Sequence, residues 1–394
     1  MPGSLLVSSA RTPIGKLSGA LATLSAADLG GLAIATALER AGIDPSEVDQ
    51  VVMGNVLQAG AGQNPARQAA VSGGVPMGVP AITVNAVCLS GIHSVFLADQ
   101  LIRSGEADVV VAGGMESMTQ APHLLPGSRA GFRLGDVTVV DSMISDGLWC
   151  AFDGVHMGAG TDAYAMDASI SRQAQDELAA RSHERACAAV KGGRLAEEIV
   201  PVTVIQRKGT IVVETDEGVR PETTVESLGR LRPAFSPDGT ITAGNASQIS
   251  DGAAAVVLVS QAKADELGLA PLAEIVGFGL VAGPDPSLLT QPSRAITSAL
   301  DKAGLTVADV DLFEINEAFA AVAVASMADL GVDDGIVNVN GGAIALGHPI
   351  GMSGTRLVMT LAAELSRRGG GLGAAALCGG GGQGEALVLR VKKT

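Results

Sequence analysis

Residues 39–53 read ERAGIDPSEVDQVVM and residues 301–315 read DKAGLTVADVDLFEI, so one pattern occurs twice, 262 positions apart. In the first copy, apolar residues at helical spacing over 27–41 stop at Gly42, and an apolar strand follows over 48–53. The second copy repeats the helix end, the glycine and the strand. This alternation favours an α/β fold whose sheet is mostly parallel and covered by helices on both faces.

Two further segments repeat in the same order along the chain. Val84-Asn85 recurs as Val339-Asn340, and residues 108–114 are similar to residues 374–380. The offsets stay close to that of the first pair, which chance matches would not preserve. The chain is therefore predicted to contain two homologous α/β halves.

The segment between the halves differs from them in composition and contains Trp149 and Tyr164. It has a hairpin signal over 131–140 and a polar amphipathic helix over 172–190, and the apolar run 250–259 predicts a strand that returns to the first half. We expect three units: an N-terminal half of residues 1–118 and about 246–268, an inserted loop domain over 119–245, and a C-terminal half over 269–394.

Composition indicates a packed globular protein. Of 394 residues, 47% are hydrophobic and 17% are charged, enough for two or three domains with sizeable cores. Aromatic residues make up only 2% and glycine occurs 52 times, so the core must combine aliphatic side chains with close backbone approaches. The net charge of −15 argues against a nucleic-acid partner, which needs a basic face. An anionic ligand would need a local basic patch.

The four cysteines are Cys88, Cys150, Cys187 and Cys378. They form no CxxC pair, and no histidine lies at metal-ligand spacing from them, so we expect no metal site. Four cysteines in so long a chain predict no disulfide framework and favour a reducing, cytoplasmic location. We expect no membrane partner, because residues 4–8 lack the features of a signal peptide and the other apolar runs are broken too early to span a bilayer.

Cys88 stands in the stretch VNAVCLSG, residues 84–91, and precedes a run almost free of charge over 89–102. That run predicts a buried helix with Cys88 at its N-terminus, where free N–H groups and the helix dipole favour a thiolate. A thiolate is a nucleophile, so Cys88 is a candidate covalent catalyst. A buried structural cysteine is the alternative, and this stretch alone does not decide between them.

Three stretches of the C-terminal half combine reactive residues with small neighbours where predicted strands end: 316–320, 340–354 and 378–384. Ligand sites gather at such strand ends, and glycines let backbone N–H groups approach a ligand. The spacings typical of nucleotide-binding loops are absent. His348, between glycines and beside a proline, is poorly suited to a core. For Cys378 a functional role and a packing role are both open.

With these motifs together, the chain resembles the thiolase family from end to end. The matching segments are 84–91, 231–235, 242–247, 316–319, 341–354 and 378–384. The resemblance implies a five-layered α/β core made by two duplicated halves, with the inserted loop domain covering coenzyme A. It also implies acetyl-CoA C-acetyltransferase activity, which reversibly condenses two acetyl-CoA to acetoacetyl-CoA and CoA by a ping-pong route through an acyl-cysteine.

The resemblance further implies the roles of individual residues. Cys88 takes the acyl group, His348 accepts its thiol proton, and Cys378 removes an α-proton from a second acetyl-CoA. His348 and a water held by Asn316 donate to the enolate oxygen, while the backbone N–H groups of Cys88 and Gly380 form a second oxyanion site. Outside these motifs, we expect a structural role for Glu116 and a surface position for His183.

Contacts with coenzyme A carry over from the family onto ten positions: Leu148, His156, Met157, Arg220, Ser227, Phe235, Ala243, Ser247, Ala318 and Phe319. Arg220, with Arg207 and Lys208 nearby in sequence, would supply the positive charge that the acidic chain lacks. No further cofactor is expected, because coenzyme A is part of the substrate. Thiolases are dimers or tetramers, and segment 131–140 resembles the one that joins dimers, so we expect a homotetramer.

One loop departs from the family pattern. Many relatives carry Met-Gly-x-Gly-Pro where residues 288–293 read LLTQPS, close to the acyl pocket, so the preferred chain length stays open. A degradative 3-ketoacyl-CoA thiolase for longer chains is therefore an alternative. A β-ketoacyl synthase-like enzyme, which lacks a second cysteine in a glycine run, and a catalytically silent acyl-CoA-binding protein are less favoured.

Overall fold

The computed structural model describes residues 3–207 and 209–393 as an α/β protein. Its strands are β1 (Leu5–Arg11), β2 (Gly15–Lys16), β3 (Gln50–Gly54), β4 (Ala81–Val84), β5 (Val109–Ser117), β6 (His123–Leu124), β7 (Val140–Asp141), β8 (Trp149–Cys150), β9 (Val155–His156), β10 (Val202–Gln206), β11 (Gly209–Val213), β12 (Ser250–Val259), β13 (Ala273–Ala282), β14 (Leu312–Ile315), β15 (Gly371–Gly379) and β16 (Gln383–Val391). Its α-helices are α1 (Ala26–Ala41), α2 (Pro65–Ser72), α3 (Ser90–Ser104), α4 (Met157–Asp167), α5 (Arg172–Lys191), α6 (Val225–Gly229), α7 (Gln261–Leu267), α8 (Gln291–Ala303), α9 (Ala320–Leu330), α10 (Ala343–Leu346) and α11 (Ser353–Arg367).

The order of the strands shows the duplication. Hydrogen-bonded neighbours follow the path β14-β15-β16-β13-β1-β12-β5-β3-β4, and β2 pairs with β12. Within this path, β3-β5-β12-β1 of the first half repeats the arrangement β14-β15-β16-β13 of the second half. The two parts meet where Leu5 pairs with Glu274 and Leu6 pairs with Ala273. The prediction of two homologous halves is therefore confirmed.

The directions of the strands differ from the prediction of a mostly parallel sheet, which is wrong. Along the path, β3 runs parallel to β4 and β5, and β14 runs parallel to β15, whereas the other pairs are antiparallel. The reason is visible at β15 and β16, which are joined by residues 380–382. A connection that short can join only antiparallel neighbours.

The five layers follow from the alternation of side chains along each strand. In the first half Val52 faces the centre of the molecule and Val51 faces outward; in the second half Leu377 faces the centre and Ala376 faces outward. Because both faces are apolar, both are covered. Helices α3 and α11 pack against each other between the two parts of the sheet, α1 and α2 cover the first half, and α8 covers the second. The expected five-layered α/β core is confirmed.

Two of the elements expected in and directly after the inserted segment are confirmed, and a third is wrong. The predicted helix over 172–190 is α5, and the returning strand over 250–259 is β12. The hairpin predicted over 131–140 is wrong, because residues 131–139 form no strand and the pairing joins β6 to β7. Gly131 and Gly135 have φ of 79° and 116°, which interrupts an extended strand, and the apolar Leu134 between them is fully exposed.

Within the residues that the structure describes, no helix is long and apolar enough to span a bilayer.

A buried ion pair joins α11 to β14 within the second half and provides a test of the packing. Arg356 and Glu314 lie 2.8 Å apart with side chains 2% and 3% exposed. Removing one partner leaves a buried charge unpaired, so Glu314→Ala should lower the free energy of unfolding by about 3–5 kcal/mol. Urea unfolding should be measured at pH 8, because burial raises the pKa of Glu314 to about 7.

The control is Glu274→Ala, which removes a partly exposed pair with Arg390 at 3.3 Å. Exposed pairs contribute little, so this change should cost about 1 kcal/mol or less. Equal losses in the two variants would contradict a special role for the buried pair.

Candidate active site

Cys88 lies in a strained turn between β4 and α3. Val87 has a φ of 52°, a conformation that β-branched residues rarely adopt. The Val87 N–H donates to Asn85 Oδ1 at 3.0 Å, and Ser90 Oγ donates to the Val87 carbonyl at 2.6 Å and accepts from the Ala86 N–H at 2.9 Å. These bonds hold the strained residue and place Cys88 directly before the first turn of α3.

Burial dominates the chemistry of the Cys88 thiol and raises its pKa to about 12. The backbone N–H groups of Cys88 itself and of Gly380 act in the opposite direction, because they donate to the sulfur, while the Glu116 charge raises the pKa further. The prediction that the helix end favours a thiolate is therefore wrong for the net shift. A base must accept the proton before this sulfur can attack.

Cys378 is brought to the same place from the second half. It is fully buried at the end of β15 and pairs with Gly384 of β16. Burial raises the pKa of Cys378, and the nearby Cys88 thiol raises it further. Charge on one sulfur thus disfavours charge on the other. The structure joins two cysteines from different halves, with the Gly380 N–H beside them.

His348 has one bonded and one free ring nitrogen. Its Nδ1 lies 2.6 Å from Ser353 Oγ, which in turn donates to the Pro349 carbonyl at 2.9 Å. Its Nε2 is buried and has no hydrogen-bond partner within the described residues. Burial, and after it the charge of Arg356, lower the pKa of His348 to about 4, so the ring is neutral at neutral pH.

Asn316 is fully buried directly after β14. Its N–H donates to the Ala376 carbonyl at 2.9 Å, whereas neither side-chain amide atom bonds to any described residue. A buried amide without partners is costly, which is typical of a site that binds a polar group. The adjacent Glu317 accepts from Ser182 Oγ at 2.7 Å and Asn338 Nδ2 at 2.9 Å, and so fixes this loop.

Glu116 joins two of the loops around the site. Its buried carboxylate accepts from the Val56, Leu57 and Gly351 N–H groups at 3.0, 3.1 and 2.9 Å, and from Asn55 Nδ2 at 2.8 Å. Burial raises the pKa of Glu116 to about 7, although these N–H groups lower it. The loop after β3 and the loop that ends at Gly351 are thus held by one side chain, in agreement with its expected structural role.

Three predicted coenzyme A contacts line one cleft of about 300 Å³: Arg220, Ser227 and Ala243. His183 lines it too, so its predicted surface position is wrong. Its Nδ1 accepts the Arg220 N–H at 3.1 Å, and burial lowers its pKa to about 4. Arg207 lies in the turn between β10 and β11 and is not part of the cleft lining, and Lys208 lies outside the described residues.

Four other predicted contacts are paired with one another, and a fifth, Phe319, pairs with Ala246. His156 stacks on Phe235 with ring centroids 4.9 Å apart. The Ser247 N–H donates to the Ala318 carbonyl at 3.0 Å, and Ala246 forms an antiparallel β-bridge with Phe319. The loop after β14 is therefore joined to residues 246–247, which follow the insert, through two motifs that the sequence identified separately.

Met157 and Leu148 lie closer to the cysteines. A Cβ added to Gly380 would lie 3.6 Å from the Met157 methyl, and Met157 shares an apolar cluster with Cys378. Leu148 is partly buried against the central core that contains Cys88.

Among the described residues, no group of three or more His, Cys, Asp or Glu side chains is placed to hold a metal ion.

Sequence reasoning missed Ser353, although it stands in the same glycine-rich stretch as His348. The five-residue spacing between them was the available signal. It is not a helical spacing, and only the turn at Pro349 brings the two side chains together.

Two family models match the chain: the thiolase N-terminal domain over residues 4–262 and the thiolase C-terminal domain over residues 269–391. The chain therefore belongs to the thiolase family. A probable acetyl-CoA acetyltransferase of Mycolicibacterium smegmatis is 58% identical, over 98% of this chain and 100% of that protein. The acetyl-CoA acetyltransferase of Cupriavidus necator is 52% identical over 100% of both chains, and that of Pseudomonas aeruginosa is 51% identical over 99% of both.

The shift of the His348 pKa predicts how stability depends on pH. The unfolded chain holds this imidazole at its ordinary pKa of 6.5 and the folded chain at about 4, so the unfolded state binds more protons between these values. Stability is thus present above pH 6.5 and is lost as the pH falls towards 4. Urea unfolding at pH 7 and pH 5 should show a loss about 2 kcal/mol larger in the natural protein than in His348→Asn. Equal losses would contradict the lowered pKa.

Proposed function

We propose that the protein is an acetyl-CoA C-acetyltransferase, which condenses two acetyl-CoA to acetoacetyl-CoA and CoA and catalyses the reverse thiolysis. The observation that carries the proposal is the pair of neighbouring buried thiols, Cys88 and Cys378, with the Gly380 N–H directed at the first. One thiol suits covalent transfer and the second suits acid–base chemistry. The names of relatives that are 50–58% identical over nearly the whole chain support the choice of acetyl-CoA.

The first half-reaction transfers the acetyl group to Cys88. His348 Nε2 accepts the thiol proton, and the sulfur attacks the thioester carbonyl. The bond between the carbonyl carbon and the coenzyme A sulfur then breaks, and Cys378 gives its proton to the leaving thiolate. The N–H groups of Cys88 and Gly380 donate to the oxyanion, and one such donor is worth about 3–4 kcal/mol.

The second half-reaction forms the carbon–carbon bond. Cys378, now a thiolate, removes an α-proton from a second acetyl-CoA, and the enolate oxygen accepts from protonated His348 and a water held by Asn316. The enolate carbon attacks the acetyl carbonyl, the bond to Cys88 sulfur breaks, and that sulfur regains its proton from His348. All three groups end in their starting states, so no further cofactor is needed.

Coenzyme A would lie along the cleft that Arg220, Ser227 and Ala243 line. This arrangement and the ten coenzyme A contacts stay predictions, as do the cytoplasmic location, the homotetramer and the three-unit division of the chain. The division is supported by β12, which pairs with β1 and β5 after the insert.

Acetyl-CoA alone should acetylate Cys88, because the first half-reaction needs no second substrate. Mass spectrometry of the Cys88 peptide should show one added acetyl group, which Cys88→Ser should lack at that position. Cys378→Ala should still acquire the acetyl group but lose about 10²–10⁴-fold in thiolysis rate. An unmodified Cys88 peptide would reject the nucleophile, and full thiolysis by Cys378→Ala would reject the base. An inactive natural protein would favour a silent acyl-CoA-binding role.

The departure in residues 288–293 makes a longer-chain 3-ketoacyl-CoA thiolase the second candidate, because Leu288 is buried in the cluster that contains Cys378. For an acetyl-specific site, thiolysis of acetoacetyl-CoA should exceed that of a medium-chain 3-ketoacyl-CoA. The ratio of the two kcat/KM values measures this preference. A strong preference for the longer chain would reject the proposal and support the second candidate.

A further inference from the structure

The hydroxyl of Ser353 has two partners and one hydrogen. Ser353 begins α11 with its side chain buried, and its Oγ lies 2.9 Å from the Pro349 carbonyl and 2.6 Å from His348 Nδ1. A carbonyl oxygen can only accept, so the hydroxyl hydrogen belongs to the Pro349 contact. The contact with Nδ1 then requires a hydrogen on the ring nitrogen, because two facing lone pairs repel each other. The hydrogen-bond pattern thus assigns the proton of the neutral imidazole to Nδ1.

We infer that Ser353 is a positioning residue that holds His348 as the Nδ1–H tautomer, so that Nε2 is the nitrogen able to accept a proton. The catalytic consequence of this tautomer rests on the proposed function, in which His348 is the base that accepts the Cys88 proton. The same ring in the Nε2–H tautomer would have no free lone pair on Nε2 and could not take the Cys88 proton there.

The surrounding turn leaves Ser353 little freedom to lose this contact. The Met352 and Ser353 N–H groups both donate to the Pro349 carbonyl at 3.0 Å, and the Gly351 N–H is held by Glu116. His348 is fixed from its backbone, where its N–H donates to the Gln248 carbonyl at 3.0 Å. Both ends of the contact between Nδ1 and Oγ are therefore anchored. The lowered pKa of His348 is consistent with this, because a ring that is neutral at neutral pH must choose one tautomer.

Thr355 provides a matched control in the same turn of α11. It is fully buried, and its hydroxyl donates to the Gly91 carbonyl at 3.0 Å. Thr355→Val therefore removes one buried hydroxyl and one bond between the two halves, as Ser353→Ala removes one hydroxyl near the same place. The difference between them is the contact with His348.

The tautomer can be read directly by ¹⁵N NMR of histidine-labelled protein at neutral pH, with the His348 signals assigned by their loss in His348→Asn. The natural protein and Thr355→Val should show a protonated Nδ1 and an unprotonated Nε2. Ser353→Ala should show a mixture of tautomers or the reverse one. An Nε2–H tautomer or an imidazolium in the natural protein would overturn the inference, and this result needs no variant to fold.

The consequence for Cys88 can be measured without acyl-CoA, as the rate of alkylation of its peptide by iodoacetamide. Ser353→Ala should slow alkylation about tenfold or more, Thr355→Val should stay within about twofold, and Ser353→Thr should restore the rate. Equal slowing in Ser353→Ala and Thr355→Val would show a merely structural role and reject the inference. Normal tautomer and alkylation results without acetyl-CoA turnover would instead reject the proposed function.

Discussion

The two halves pack closely where Gly351 approaches three other glycines. A Cβ added to Gly54, Gly91 or Gly114 would lie 2.7, 2.9 and 1.9 Å from the Gly351 carbonyl oxygen, distances that real side chains do not tolerate. The three glycines come from β3, α3 and β5 of the first half, whereas Gly351 belongs to the loop before α11 of the second. Any side chain at these positions would push that loop away from the turn that carries Cys88.

This contact explains why the site is both shared between the halves and buried. Cys88 comes from the first half, while Asn316, His348 and Cys378 come from the second, and all are buried where the halves meet. Removal from water raises the pKa of both thiols and lowers that of the imidazole, so the resting groups are all neutral. Proximity of the sulfurs then disfavours a doubly ionised state. A reaction that charges one thiol at a time suits such a site.

The features that local patterns encode could be predicted from sequence, and those that depend on long-range packing could not. The repeat, the helix α5 and the strand β12 follow from periodicity within short windows. The antiparallel direction of β16 depends on a three-residue turn, and the exposed Leu134 shows that alternation without a covering surface makes no hairpin. The prediction of a favoured thiolate at Cys88 is wrong because the helix end is a local feature of the sequence, whereas burial depends on residues far along the chain. The motifs around His348 and Cys378 predicted the candidate site, whereas the contact with Ser353 follows only from the fold.

The insert is part of the scaffold of the candidate site. Ser182 of α5 donates to Glu317 at 2.7 Å and accepts the Gly342 N–H at 3.0 Å, and Glu317 also accepts the Ile344 N–H at 3.2 Å. A Cβ on Gly342 would lie 2.2 Å from the Glu317 carboxyl group, so there is no room for a side chain at this contact. One buried carboxylate thus ties a helix of the insert to the loop after β14 and to α10, which leads into His348. Because breaking only part of a buried polar network is costly, a displacement of α5 would also displace both loops. A ligand held by the insert would therefore bind to a surface that is connected by buried hydrogen bonds to the loops that carry the proposed catalytic groups.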